Sequence, residues 1–249
     1  MLKNFSFRIV IPFFNAERYI GKCIKSIKSQ SFKNFTVHLF DDCSTDNSFE
    51  VAKSFINNDE RFFLNKNKVN QGALQNIIQG LKFDCYDPSK IIDIIIDGDD
   101  SLYLNDVLAL VEFTYLKTNC LITYGTFLQT GGQGKFGNKY PLRTILTNSY
   151  RKYPWLASHL RTFRHDLWLN INNDDLKDNN GNYFDTAWDL AIMFPMLEMA
   201  DIRQEYISDI LYCYNNENPL CDHYIHKESQ KLNDELIRNK VPYQKIILP

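Results

Sequence analysis

An α/β fold, with a mostly parallel central sheet flanked by helices, is what this 249-residue chain predicts. Three observations point there. Short apolar stretches alternate with amphipathic ones up to Asp100. One of them, Ile91-Ile92-Asp93-Ile94-Ile95-Ile96, is β-branched and barely alternates, as expected of a strand covered on both faces. Polar clusters recur just after the apolar stretches, at Asn15, Asp41-Asp42 and Asp97-Gly98-Asp99-Asp100. Ligands gather at such carboxyl ends in parallel sheets.

The elements follow in order. Residues 7–11 read as a strand that Pro12 stops. Tyr19, Ile20, Cys23, Ile24 and Ile27 then share one helical face, with Lys22, Lys25 and Lys28 mostly off it. A second strand over 35–40 ends in Asp41-Asp42. Ser44 or Asp46 can cap the next helix, which runs through Val51, Ala52 and Phe55. A short strand over 61–64 and a helix over 73–81 lead to the isoleucine strand. The second half is less regular. It reads as a helix over 105–116, a strand over 121–128 and a glycine-rich turn over 131–137. A helix over 188–199, kinked at Pro195, a strand over 211–214 and a charged helix over 227–238 complete it. No linker, repeat or low-complexity block interrupts the chain, so one domain over 1–249 is expected.

Composition narrows the function. Hydrophobic residues at 44% and charged residues at 23% suit a packed core rather than disorder. A net charge of -2 argues against a general nucleic-acid binder, which carries a basic surplus. No stretch reaches the roughly 18 uncharged apolar residues of a membrane span, and the N-terminus lacks a signal peptide's apolar core. A cytoplasmic protein is the expectation. The six cysteines are scattered without a CxxC pair and read as reduced, buried small hydrophobes rather than a zinc site.

The strongest chemical signal is Asp97-Gly98-Asp99-Asp100. Side chains two apart on an extended chain face the same way, so Asp97 and Asp99 can converge on a hard, oxygen-preferring cation such as Mg2+ or Mn2+. A diphosphate leaving group needs such a cation, because its charge grows as the glycosidic bond breaks. The plainer alternative is a solvated acidic turn capping the next helix. At the second strand's end, Asp41 or Asp42 can accept hydrogen bonds from a nucleobase or ribose, although helix capping explains Ser44 and Asp46 equally well.

Taken in order, Ile9-Val10-Ile11-Pro12-Phe13-Phe14-Asn15, Asp41-Asp42-Cys43-Ser44-Thr45-Asp46, Asn70-Gln71-Gly72-Ala73 and Asp97-Gly98-Asp99-Asp100 resemble the family 2 glycosyltransferases, over roughly residues 7–104. The resemblance implies a GT-A fold, the nucleotide-diphospho-sugar transferase architecture with a DxD metal site. Residues 1–104 would be the nucleotide-binding half and 105–249 the acceptor-binding half. It further implies that Pro12, Phe13, Asn15 and Asp42 line the nucleotide, with Asp41 a second candidate for the base contact. Gly72 and Asn76 would lie against the uridine, Asp97 and Gly98 near the ribose, and Asp99, with Asp97, at the metal. His223 is a candidate third metal ligand, with His226 as its substitute.

Later motifs resemble a smaller bacterial and viral branch, through Ser158-His159-Leu160-Arg161-Thr162-Phe163 and Ala187-Trp188-Asp189-Leu190. Family members usually carry a Glu-Asp pair at the latter place, whose Asp deprotonates the acceptor. Trp188-Asp189 stands here instead, leaving Asp189, or else Asp185, as the base. Asp185 can equally be a helix cap. Trp155, His159, Arg161 and Trp188 are candidates for holding acceptor or phosphate, Arg through its planar fork.

The implied reaction moves a hexose, with glucose the leading choice, from a UDP-sugar to an acceptor hydroxyl, with Mn2+ or Mg2+ as cofactor. The acceptor would be a glycan or glycoprotein, with galactosyl-hydroxylysine of a collagen-like chain as one candidate; for a viral enzyme the setting would be host cytoplasm. Stereochemistry is open, and so is a homodimer. Three rival readings stand beside this one. Gly132-Gln133-Gly134-Lys135-Phe136-Gly137 fits GxGxxG but does not lead into a helix. Asp97-Gly98-Asp99-Asp100-Ser101 also fits the nucleophile motif of haloacid-dehalogenase-like phosphotransferases, which normally opens the domain. A nucleotide-sugar-binding module without catalysis is the third.

Overall fold

The structure is a computed structural model that describes residues 5–83, 87–132, 135–219 and 227–249. Its first strand, β1 (Ser6–Phe13), is buried over nearly its whole length. It pairs in parallel with β2 (Phe35–Asp41) on one side and β4 (Ile91–Ile95) on the other, and β2 pairs in parallel with β3 (Phe62–Lys66). Period-two alternation sends successive apolar side chains into two separate cores. Ile9, Ile11, Val37, Ile94 and Ile96 pack with α1 (Ile20–Lys28) and Ala52 of α2 (Ser48–Ile56). Val10, Phe40 and Ile95 meet Ile77 and Leu81 of α3 (Ala73–Leu81) on the other face.

Pro12 does not stop β1, contrary to the sequence expectation. It lies one residue inside the strand's end, where its carbonyl accepts from Gly98 N at 3.2 Å and the missing N–H is no obstacle. Asp93, the polar interruption of the isoleucine strand, is fully buried. Its Oδ2 lies 2.7 Å from His165 Nδ1, and Arg8 Nη1 is 3.7 Å from its Oδ1. It belongs to the core's own polar network rather than to a ligand site.

Beyond β4 the sheet becomes mixed. β4 pairs antiparallel with β8 (Ser158–Arg164), which pairs antiparallel with β6 (Ile122–Gln129). β6 pairs in parallel with β9 (Gln204–Tyr214), whose far edge carries β5 (Ser101–Leu102) antiparallel. A short β7 (Lys135–Phe136) sits on β6, so part of the glycine-rich turn is a hairpin. The order β3-β2-β1-β4-β8-β6-β9-β5 puts four parallel strands, β3, β2, β1 and β4, together at one side. β9 begins at Gln204, well before the expected 211. Exposed Ser208 and Asp209 break its apolar pattern, and its register with β6 shifts twice.

α4 (Val107–Thr118) follows β5. Two short helices, α5 (Leu142–Leu146) and α6 (His165–Trp168), flank β8 in the sequence. α7 (Trp188–Ala200) is buried almost all round, as a helix apolar on every face must be, and Pro195 lies within it. A final helix, Lys227–Asn239, packs against α7. No helix among the described residues is long and apolar enough to cross a membrane. Cys23 and Cys120 are buried free thiols, as the sequence suggests, whereas Cys43 and Cys213 are free but only partly buried; Cys85 and Cys221 lie outside the described residues.

His38 of β2 is 5% exposed and stacked on Phe83 at 4.2 Å and Phe63 at 5.0 Å. Burial, reinforced by the Arg8 charge, lowers its pKa from the usual 6.5 to about 4. The fold therefore favours neutral His38, and this contribution is whole above pH 6.5 and lost as pH falls towards 4. Replacing His38 by Phe keeps an aromatic ring and removes the proton site. Melting temperatures across pH 7 to 4 should fall less steeply in His38→Phe than in the natural protein.

Candidate active site

The cleft opens where the parallel strands end. Past Ile95 the chain still runs alongside β1, with Ile96 N donating to Val10 O at 3.1 Å and Gly98 N to Pro12 O. It then turns sharply, as Asp100 N donates to Asp97 O at 2.9 Å. That turn overrides the extended-chain argument for Asp97 and Asp99. Asp99 points to Asn218, whose Nδ2 donates to its Oδ2 at 2.6 Å. Asp97 instead comes together with Asp100 and with His159 of β8, and one ligand atom from each lies within 4.8 Å of the others. Among the described residues, Asp97, Asp100 and His159 are a group that could hold a cation; His223 and His226, expected beside Asp97 and Asp99, lie outside the described residues.

These groups fit a divalent cation. Asp100 Oδ1 accepts from Asn215 N at 2.7 Å, while its Oδ2 is buried without a hydrogen-bond partner, as is His159 Nδ1. Burial, then the charges of Asp99 and Asp97, push the Asp100 carboxyl well above the usual carboxylate range. Burial also raises Asp99, against the opposing Asn218 amide. Crowded carboxylates of this kind are what a bound cation relieves. Two carboxylates suit Mg2+ or Mn2+, and the imidazole nitrogen tilts the set towards a first-row ion such as Mn2+.

His159 is held flat against Tyr212, ring centroids 4.4 Å apart and 10° between planes. Burial, then Arg161, pulls its pKa well below the ordinary value, so the ring is neutral. Arg161 Nη2 lies 2.8 Å from His159 Nε2 and 3.3 Å from Asp189 Oδ2, with its guanidinium 5.8 Å from the Trp188 ring. Asp189 sits in the first turn of α7, where a negative charge meets the positive end of the helix dipole. Asp185 is no cap of α7: the cap position is Ala187, with φ of 53°. Asp185 accepts instead from Asn233 Nδ2 at 2.7 Å and Ser229 Oγ at 3.3 Å, so the final helix pins this loop.

Asp42 is a hub of hydrogen bonds on the side where the nucleotide is expected. Its Oδ1 accepts from Asn67 Nδ2 and Gln71 N, and its Oδ2 from Gly72 N, each at 2.8 Å. Asn67 also donates to Asn76 Oδ1 at 2.7 Å. These bonds hold Gly72, at φ of 85°, and Asn76 against the cleft. Neither Ser44 nor Asp46 is the cap residue of α2, which is Asn47; Asp46 Oδ1 accepts from Ser48 N at 3.0 Å just ahead of the helix, and Ser44 Oγ accepts from Asn15 N.

One cavity of about 630 Å³ takes in most of the expected residues. Pro12, Phe13, Asp42, Gly72 and Asn76 line the side beside the start of α3, and Asp97, Gly98 and Asp99 the acidic turn. His159, Arg161, Asp185, Trp188 and Asp189 line the rest. Three expected residues are elsewhere. Asn15 ties two loops, its Oδ1 accepting from Thr45 N at 2.9 Å. Asp41 is fully buried, accepting from Ser44 N and facing Lys66 at 3.6 Å. Trp155 packs edge-on against Phe194 at 5.2 Å, as part of the core. Asn67, Asn218 and Tyr212 were not legible as site residues, because each acts through a partner distant in sequence.

Residues 8–174 match the family described as glycosyl transferase family 2. The chain belongs to that family. This places the acidic turn, His159 and Arg161 within the matched region, and Asp185 and Asp189 beyond it. It also displaces the dehalogenase-like and dinucleotide readings. A Haemophilus influenzae protein named "Uncharacterized glycosyltransferase" is 33% identical over 244 residues, covering 83% of this chain and 94% of its own. The Bacillus subtilis minor teichoic acid biosynthesis protein GgaA is 26% identical over 95% of this chain, which spans 51% of GgaA. Among solved structures, the Pyrobaculum calidifontis mannosyltransferase PcManGT, in complex with GDP-Man and Mn2+, gives a TM-score of 0.66. It is 14% identical, with 96% of this chain and 66% of that one covered. S. aureus TarS 1-349 in complex with UDP-GlcNAc gives 0.62 at 19% identity, with 86% and 59% covered. The glycosyltransferase therefore has the GT-A fold, its sheet mixed, with four parallel strands and the acidic turn together on one side.

In this glycosyltransferase a Cβ on Gly98 would lie 2.4 Å from Phe13 Cβ and 3.2 Å from Pro12 O. Gly98→Ala must therefore lift the acidic turn off β1. Turnover should fall by about 10²-fold, the order a misplacement of about 1 Å costs. Steady-state kinetics and a melting curve would separate this from unfolding.

Proposed function

We propose that this family 2 enzyme transfers a hexose from a UDP-sugar, glucose first among candidates, to a hydroxyl of a glycan acceptor. The observation that carries the reading is the meeting, in one cavity, of Asp97, Gly98 and Asp99 of the acidic turn with Asp189 at the start of α7. A nucleotide diphosphate needs a cation at its departing end, and an acceptor hydroxyl needs a carboxylate to take its proton. The cavity's volume falls within the range of small-ligand sites.

In this reading the loop carrying Gly72 and Asn76, braced by Asp42, receives the nucleoside beside Pro12 and Phe13. Asp97, Asp100 and His159 hold Mn2+ or Mg2+, with Asp99 facing the same space. When bound, that ion supplies charge neutralisation for the departing diphosphate. Asp189, oriented by Arg161, accepts the acceptor's proton as its oxygen bonds to the anomeric carbon and the diphosphate leaves. Such direct displacement inverts configuration. Trp188 offers an apolar wall to a sugar ring. Asp185, engaged by the final helix, positions the loop.

A UDP donor is favoured by the fold shared with TarS, whose structure holds UDP-GlcNAc, and the GDP-Man complex of PcManGT makes GDP-mannose the comparison. The name of GgaA favours a cell-surface polymer over a collagen-type acceptor. The activity of the whole protein is part of this proposal, since the chain spans about half of GgaA.

Two experiments test it. Sugar release from a panel of UDP-glucose, UDP-GlcNAc and GDP-mannose with Mn2+ should favour a UDP-sugar and vanish in Asp97→Ala or with EDTA. Undiminished release in both would sink the cation role, and binding without release would favour a non-catalytic module. With a competent acceptor, Asp189→Asn should lower kcat by about 10²–10⁴-fold, the range for a general base, with little change in donor affinity. An equal loss in Asp185→Asn alone, with Asp189→Asn active, would move the base to Asp185.

A further inference from the structure

His159 joins the acidic turn to Arg161, and through it to Asp189. The ring is 6% exposed, Nε2 faces Arg161 Nη2 at 2.8 Å, and Nδ1 is buried without a hydrogen-bond partner. A guanidinium carries donors only. Nε2 must therefore be the acceptor, which places the ring's single hydrogen on Nδ1. At the same time a ring nitrogen lies within 4.8 Å of ligand atoms of Asp97 and Asp100.

A neutral imidazole has one in-plane lone pair to give. If a cation is bound through Nε2, it takes the lone pair that Arg161 now receives. If it is bound through Nδ1, the hydrogen must move by way of solvent to Nε2, where it meets the guanidinium donor to donor. Both routes break the same contact. We infer that coordination of a divalent cation by His159 and the Arg161–His159 hydrogen bond are mutually exclusive, so that loading the cleft with the cation frees an Arg161 N–H for an anionic ligand.

The freed guanidinium stays in the cleft, 3.3 Å from Asp189 and 5.8 Å from the Trp188 ring. Its planar fork suits the oxygens of a diphosphate, the anion a nucleotide-sugar donor carries. His159 would then couple the two events, making Arg161 available to the donor only once the cation is in place. The inference rests on the cation site proposed above and adds a competitor for one of its ligands.

Mn2+ affinity, measured by electron paramagnetic resonance on the natural protein, R161Q, H159F and the double variant, tests it. Phe at 159 keeps the stacking on Tyr212 and offers no lone pair. R161Q should tighten Mn2+ binding by about tenfold beyond any effect it has in the H159F background, the size of a charge-assisted hydrogen bond. H159F alone should weaken binding. Equal tightening by R161Q in both backgrounds would overturn the inference, because removal of a positive charge would then account for it. Unchanged Mn2+ affinity in H159F would also overturn it while leaving the cation site standing. No Mn2+ binding by the natural protein would take the site itself down. A second measurement needs no variant. Long-range 1H–15N spectra of the histidines should show the 159 ring with hydrogen on Nδ1 in the metal-free protein. On saturation with diamagnetic Cd2+ the ring should lose its Arg161-bonded signature; an unaltered ring would overturn the inference.

Discussion

Parallel pairing of β1 with both β2 and β4 is the constraint on which the rest depends. Strands in parallel register end on the same side, so Phe13, Asp42 and Asp97 arrive together although they are far apart in the chain. The pairing does not stop where the regular strands do. Asp42 N donates to Phe13 O at 2.8 Å, and Gly98 N to Pro12 O at 3.2 Å, so β1's last carbonyls anchor both neighbouring loops. Burial on both faces makes those backbone bonds obligatory, since an unpaired buried group costs as much as a lost hydrogen bond. The cleft is a by-product of the sheet's own hydrogen bonding.

Charge is distributed in the cleft with a clear division. Asp97, Asp99 and Asp100 crowd one turn; burial raises the carboxyls of Asp99 and Asp100, and the charges of Asp99 and Asp97 raise Asp100 further. Across from the parallel half, β8 brings His159 and Arg161, whose side chains meet at 2.8 Å. Arg161 in turn meets Asp189 on α7. The two halves of the glycosyltransferase are therefore joined at the site by polar side chains, with the hydrophobic cores lying to either side of the sheet. Asn233 and Ser229 on the final helix extend this link by fixing Asp185 and, through it, the entry to α7.

The α/β class, the order of the first elements and the place of the acidic turn were legible from residues 7–104, because each strand there is apolar, short and followed by polar residues. The second half was less legible for physical reasons. β9 alternates poorly because its partner strand is out of step with it, and α7 has no polar face to mark it as a surface helix. Pro12 misled because a missing N–H matters only where the ladder needs that donor.

Which residue types line the cleft was determined by the sequence itself: acidic residues after buried strands, a Trp-Asp pair, and His and Arg with one residue between them. Which of those acids meet each other was decided by tertiary structure alone. A hydrogen-bonded turn at Asp97 brings Asp100 beside it, and antiparallel β8 delivers His159 to the same point. Local spacing describes an extended chain, and the chain at the site is not extended. Its direction is set by β1 on one side and Tyr212 on the other, neither of which lies nearby in the sequence.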